Sequence, residues 1–324
     1  MPKRQRVFLL GATGTIGRAT AAALLTKGHE VVCLVRAKSG DPRRGLPQGV
    51  TLRFGDVTDP ASLERDGFAG ERFDAMVSCL ASRSGTPKDA WAIDHRAHSE
   101  ALRIAKAAGV GQVVLLSAIC VQRPLLAFQK AKLAFESELA ASGLTYSIVR
   151  ATAFFKSLSG QVARVQAGKP FLIFGDGTLT ACKPISDADL GTYLANCLDD
   201  PTRHNRILPI GGPGPALTAK EQGAALFTLL NQTPKFRSVP VGFLDGIIAV
   251  LSVLGKLSPK LRDKAELARI GRYYATESML VLNPVTGKYD ANATPSSGKD
   301  RLVDHYARLL RGEAKVDLGE HAVF

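Results

Sequence analysis

RVFLLGATGTIGR, residues 6–18, decides the fold. An apolar strand-like run passes directly into a glycine-rich turn, and the turn opens a helix-forming stretch, GRATAAALLTKG. Gly11 and Gly14 permit tight backbone geometry, an open Gly14 lets a pyrophosphate approach, and Gly17 permits close helix packing. A helix starting there offers free N–H groups and its positive dipole end to phosphates. The spacing is G-x-x-G-x-x-G rather than G-x-G-x-x-G, so the strand before and the helix after carry the reading. Thr13, Ile16 and Arg18 belong to the same candidate cofactor loop. The competing reading is a turn that is merely glycine-rich.

Working outward, strand-like runs at 6–11, 30–36, 50–56, 73–81, 112–118 and 145–151 alternate with amphipathic helical patterns. The patterns at 91–109 and 129–143 end at Gly109 and Gly143, as helix C-termini do. Such alternation predicts an α/β fold, a Rossmann-type doubly wound parallel sheet. After residue 155 the pattern turns to glycine-rich turns, short strands, a helix capped by Ser186 and a terminal helix. We expect a nucleotide-binding unit over 1–155 and a smaller C-terminal substrate lobe over 156–324, with segments packing back on the sheet.

The chain has 42 Lys+Arg against 29 Asp+Glu, a formal charge of +13, which suggests anionic ligands or an anionic surface. Its basic residues are dispersed with no basic-aromatic motif, which argues against nucleic acid. Its five cysteines lack metal-ligand spacing; reduced thiols in a cytoplasm, and no metal site, are expected. The N-terminus runs straight into the first strand, so no signal or transit segment is expected. VPVGFLDGIIAVLSVLG (239–255) is too short to span a bilayer and is interrupted by Asp245. A buried helix, a wall of an apolar pocket and a peripheral membrane contact are its three readings.

Arg36 ends the second strand, where an acid would bind a ribose 2′-hydroxyl and an Arg suits a 2′-phosphate. Arg18 and Lys38 add charge to the same pocket. A solvated strand-end cation is the alternative. Asp56 closes the third strand, where such folds contact the adenine amine; a turn residue is its other reading. NADPH is the expected cofactor.

FQKAK (128–132) follows Ser117 by about a dozen residues. The arrangement resembles that of short-chain dehydrogenases, with Phe128 where their acidic Tyr stands. Lys132 then takes the place of the Lys that binds the nicotinamide ribose and puts positive charge near the hydride donor. Ser117 takes that of their catalytic Ser, or is an ordinary strand-end residue. Reducing a carbonyl builds charge on one oxygen and wants an acid beside it. Hydride addition to a conjugated C=C spreads that charge over a π system, so a Phe is tolerable and can pack on a flat ring.

GATGTIGR, VSCLASRSG, DHRAHSEAL, VLLSAICVQRPLLAFQKAKLAFE, YSIVRATAFFKSL, FGDGTLTACKPIS, ILPIGGPGPALT and IGRYYATESMLV together resemble one family over nearly the whole chain. It is the divinyl chlorophyllide (protochlorophyllide) 8-vinyl reductases, atypical short-chain dehydrogenase relatives. The resemblance implies NADPH-dependent reduction of the C8 vinyl group of a Mg-tetrapyrrole to ethyl, in chlorophyll or bacteriochlorophyll synthesis. It implies cofactor roles for Gly11, Gly14, Gly17, Arg36 and Lys132; the expected lack of a transit segment and the reduced thiols lead us to expect a bacterial, cytoplasmic setting. Ala151 departs from the Pro frequent there. Phe128, Phe154 and Phe155 are candidates to line a flat pocket, or are core. Lys156 or Lys183 would meet the substrate propionate, and Cys182, Tyr273 or Tyr274 would donate a proton. Two other readings stay open: a non-catalytic NADP(H) sensor or assembly factor, and a reductase of small phenolics.

Overall fold

The computed structural model describes residues 4–36, 43 and 45–314. Six strands come first: β1 (Arg6–Leu10), β2 (Glu30–Val35), β3 (Thr51–Phe54), β4 (Ala75–Ser78), β5 (Gln112–Ala118) and β6 (Thr145–Ala151). The short β7 (Phe171–Phe174) and β8 (Ala181–Cys182) stand apart from them, and β9 (Arg206–Ile210) returns to their edge. The sheet order is β3-β2-β1-β4-β5-β6-β9, every pair parallel.

Side-chain alternation along β1 explains why helices cover both faces. Val7 and Leu9 enter one core cluster with Leu24, Leu190 and Leu194. Phe8 and Leu10 enter the other with Met76, Leu102, Phe135 and Leu139. The covering helices on the way are α1 (Thr15–Thr26), α2 (Pro60–Ser62), α3 (Pro87–Ala90), α4 (His98–Ala107) and α5 (Ala127–Ala141). A π-helical segment, Trp91–Ala97, joins α3 to α4, so the expected helix over 91–109 is not one regular α-helix. Strand order reverses between β1 and β4, and the glycine turn lies at the carboxyl end of β1, where such sheets bind ligands.

The remaining helices are α6 (Phe155–Leu158), α7 (Val162–Gln166), α8 (Asp187–Asn196), α9 (Ala219–Leu229), α10 (Val241–Leu254), α11 (Pro259–Thr276) and α12 (Leu302–Leu310). Two segments beyond residue 155 rejoin the sheet: β9, and α8, which packs on α1. Ser186 caps α8 as expected, its Oγ accepting from Asp189 N at 3.0 Å. Gly191 makes the α1–α8 contact close, since a Cβ there would lie 2.6 Å from the Ala19 carbonyl carbon. Three small pairings complete the chain: β7 with β11 (Phe236–Val239), β8 with β10 (Leu217–Thr218), and β12 (Val281–Leu282) with β13 (Tyr289–Asp290). Phe155, Phe171, Phe227, Leu302 and Tyr306 share a separate core there.

The 239–255 segment corrects one reading. It forms α10, but none of the helix's residues is buried, and Phe243 is 61% exposed. It packs on α11, where Arg269 Nη2 donates to Ser252 Oγ at 2.7 Å and Arg272 pairs with Asp245. No helix among the described residues is long and apolar enough to cross a membrane.

Candidate active site

The three loop glycines have separable reasons. Gly11 adopts φ +75°, and a Cβ there would sit 2.5 Å from the Cys79 carbonyl carbon, so the loop lies directly on the end of β4. A Cβ on Gly17 would lie 2.1 Å from Gly11 O, which makes glycine obligatory where α1 meets its own turn. Gly14 meets only Gly11 O at 3.4 Å and is exposed; its open side is the cradle in which a pyrophosphate fits. Gly14 offers no side-chain cap to α1, leaving first-turn N–H groups for an anion. Thr13 is exposed at the rim, whereas the Ile16 side chain is buried in the core, correcting Ile16 to a backbone role.

Lys156 also belongs to this end. Its Nζ lies 3.4 Å from Thr15 Oγ1, in the first turn of α1. That corrects its placement at a substrate propionate: the ammonium faces the phosphate cradle, through a Thr15 that sequence reasoning missed. Arg36 is exposed at the end of β2, and Arg18 is exposed on α1, its guanidinium against Gly45 beyond β2. Lys38 lies outside the described residues. Asp56 Oδ1 accepts from Thr58 N at 2.9 Å and Thr58 Oγ1 at 2.7 Å. Those bonds, with a smaller contribution from the Arg36 charge, hold its carboxyl below the usual range. Asp56 therefore organises the turn after β3 beside Arg36.

The second constellation gathers beyond the carboxyl end of β4, where α5 meets the π-helical segment. Lys132 Nζ donates to Asp94 Oδ1 at 2.9 Å, with side-chain exposures of 12% and 0%. Ser82 N donates to the same oxygen at 3.1 Å, while Asp94 Oδ2 is buried without a partner. The Lys132 charge, expected near the hydride donor, is thus balanced by a buried carboxylate. Asp94 was missed because it sits in the π-helical segment, where a 3.6-residue reading misassigns faces; π-bulges recur at functional sites. Four residues on, His98 is buried, its Nδ1 2.8 Å from Ile93 O and its Nε2 2.8 Å from Ser78 Oγ. The carbonyl can only accept, so Nδ1 carries the proton and Nε2 accepts from Ser78. Burial, then the Lys132 charge, lowers the His98 pKa to about 4.

Ser117 is not at this site. Its Oγ donates to Glu136 Oε1 at 2.5 Å, and Glu136 pairs with Arg150, a polar cluster between α5, β5 and β6. Strand alternation turns the next residue, Ala118, toward the cluster around Phe128 instead. The catalytic expectation for Ser117 is therefore corrected. Phe128 is 8% exposed and packs among Ile119, Cys120 and Tyr273, making it floor rather than a free stacking face. Phe155 is corrected to lobe core, and Phe154 is half-buried against the α1–α8 core. Lys183 is corrected as well: its Nζ donates to Thr294 O at 2.8 Å and Ser296 Oγ at 3.2 Å, tying down the C-terminal segment.

Three proton-donor candidates separate cleanly. Cys182 is buried and its thiol pushed up to about 12 by that burial. Tyr273 Oη already donates to Cys120 O at 2.8 Å. Tyr274 Oη lies 4.0 Å from Cys120 Sγ, while the residue as a whole is 44% exposed. No group of His, Cys, Asp and Glu among the described residues forms a metal cluster.

Residues 11–201 match a family model described as NAD(P)H-binding. The chain is 50% identical to the chloroplastic divinyl chlorophyllide a 8-vinyl-reductase of Zea mays, over 98% of this chain and 82% of that protein. It is 26% identical to the photosystem II assembly factor Ycf39 of Cyanophora paradoxa, over 74% of this chain and 73% of that one. Among solved structures it shares its fold with the NADPH-dependent quinone oxidoreductase QOR2 of Escherichia coli, with TM-score 0.65, 18% identity and 94% and 99% coverage. The glycine cradle and the near-full-length identity lead to one assignment: the chain belongs to the divinyl chlorophyllide a 8-vinyl-reductase family of NAD(P)H-binding proteins.

Proposed function

We propose that this protein reduces the C8 vinyl group of divinyl chlorophyllide or protochlorophyllide to ethyl with NADPH, in chlorophyll or bacteriochlorophyll synthesis. The 50% identity to an 8-vinyl-reductase over 98% of the chain carries this reading. The site agrees with it chemically. Phe128 brings no acid, as an alkene substrate allows, and Lys132 is held by Asp94 to donate to the nicotinamide ribose. Bound NADPH supplies the hydride; the protein cradles its pyrophosphate on Gly14 and α1, and meets its 2′-phosphate with Arg36 and Arg18. We assign residues 1–155 to cofactor binding and 156–324 to substrate binding, with β9 and α8 rejoining the first unit. The five cysteines are free, which fits a reducing compartment.

We also propose a peripheral contact with an anionic lipid surface through α10 and the turn after it. Phe243, Val250, Val253, Leu254 and Leu257 are exposed there beside exposed Lys256, Lys260, Arg262 and Lys264. Apolar side chains rimmed by cations suit a headgroup boundary.

The test is anaerobic incubation with divinyl chlorophyllide and NADPH or NADH in parallel, followed by chromatography. Monovinyl product with NADPH alone supports the whole reading. Tight NADPH binding without product from any divinyl pigment would instead favour an assembly-factor role, which the 26% identity to Ycf39 keeps in view.

A further inference from the structure

The acid that Phe128 lacks has to come from elsewhere, and the geometry points to Tyr274. We propose that Tyr274, on α11, is the proton donor of the reduction, its hydroxyl delivered from α11 rather than from α5. This inference rests on the vinyl-reductase reading.

Several contacts place the hydroxyl. A Cβ on Gly85 would lie 3.0 Å from Ile270 Cδ1 and 3.5 Å from Phe128 Cδ1, so the loop after β4 brings α11 and α5 together at that glycine. Tyr274 is four residues after Ile270 on α11, hence on the same face one turn along. Its Oη reaches Cys120 Sγ at 4.0 Å, at the carboxyl end of β5. Cys120 shares a core cluster with Phe128, and its thiol feels the charge of Lys132. The hydroxyl thus lies buried beside Cys120, just after β5, and near α5 and the Gly85 loop, while 44% of the residue as a whole is exposed. Tyr273 cannot substitute, since its own hydroxyl is spent on Cys120 O and Arg123 O.

The step balances. The hydride of NADPH adds to the terminal vinyl carbon, and NADPH is oxidised to NADP+. The displaced C=C electron pair, delocalised into the macrocycle, takes the phenolic proton at the inner vinyl carbon. Solvent reprotonates the tyrosinate. Burial, then the neighbouring Cys120 and Tyr273, raise the Tyr274 pKa well above its ordinary value. The hydroxyl is therefore protonated across the neutral range, and a carbanion is basic enough to take a proton from so weak an acid.

The test compares wild-type and Tyr274→Phe proteins with divinyl chlorophyllide. The expected result for Tyr274→Phe is a kcat loss of about 10²-fold or more with KM for NADPH unchanged. Near wild-type kcat in Tyr274→Phe would overturn the proposal. Should Tyr274→Phe fail to fold, a fluorinated tyrosine at position 274 keeps the shape and acidifies the phenol. The alkaline limb of the kcat–pH profile should then move to lower pH; an unmoved limb overturns the proposal. Wild-type protein that reduces no divinyl pigment overturns the reading beneath it instead, and the two failures are distinct.

Discussion

At Lys132 the ammonium has one described acid partner, and that partner is almost completely buried. Lys132→Ala therefore removes a positioned donor and leaves Asp94 uncompensated. We expect a fall of about 10²-fold in kcat/KM and a stability loss of about 3–5 kcal/mol, read by steady-state assay and urea unfolding. Phe128→Tyr, by contrast, should keep turnover within about tenfold, because the substrate does not need an acid from α5. Arg36 is the residue we propose for the 2′-phosphate. Arg36→Asp should raise KM for NADPH by about 10–100-fold, the loss of a charge-assisted bond, and leave KM for NADH little changed. The place of Arg36 was legible because it follows a strand beside a recognisable turn. Ser117 was not, because its direction depends on strand pleat: a single residue separates the face of Glu136 from the face of Phe128. Lys156 and Lys183 were misplaced because a long side chain's destination is set by chain segments far away in sequence.

At the level of elements, α1 and the π-helical segment do the positioning. A methyl group on Gly17 cannot fit against Gly11 O, so Gly17→Ala should abolish NADPH binding, measured by quenching of intrinsic fluorescence. In the π-helical segment and the start of α4, His98 is neutral and doubly hydrogen-bonded. Its pKa is lowered from 6.5 to about 4, so between those values the folded state binds fewer protons than the unfolded state. The stabilisation is complete above the unfolded value and declines as pH falls toward the folded one, by roughly 3 kcal/mol in all. Urea midpoints measured at about pH 7.5 and about pH 5 should fall more in wild type than in His98→Gln; equal falls would contradict this. The strands and most helices announced themselves through period and capping residues such as Ser186. The π-helical register did not, and Asp94 stayed hidden within it.

Across the whole molecule, the doubly wound parallel sheet was legible in the alternation of strands and helices, because short apolar strands need helices on both faces. That segments of the second half pack back on the sheet was expected, but which ones do so, β9 and α8, was not legible, and neither was the exposure of α10, since apolar composition does not say what covers a helix. If α10 meets an anionic lipid surface, the protein should float with phosphatidylglycerol-containing vesicles at low salt. A Phe243→Ser, Val253→Ser, Leu257→Ser variant should remain in the aqueous fraction, and equal flotation of both would count against the contact. The central claim concerns the reaction itself and is tested most directly with NADPH deuterated at both C4 positions. Anaerobic turnover of divinyl chlorophyllide, followed by mass spectrometry and NMR, should give monovinyl product carrying one deuterium on the terminal carbon of the new ethyl group. Monovinyl product without deuterium, or no product from a protein that binds NADPH, would contradict the account.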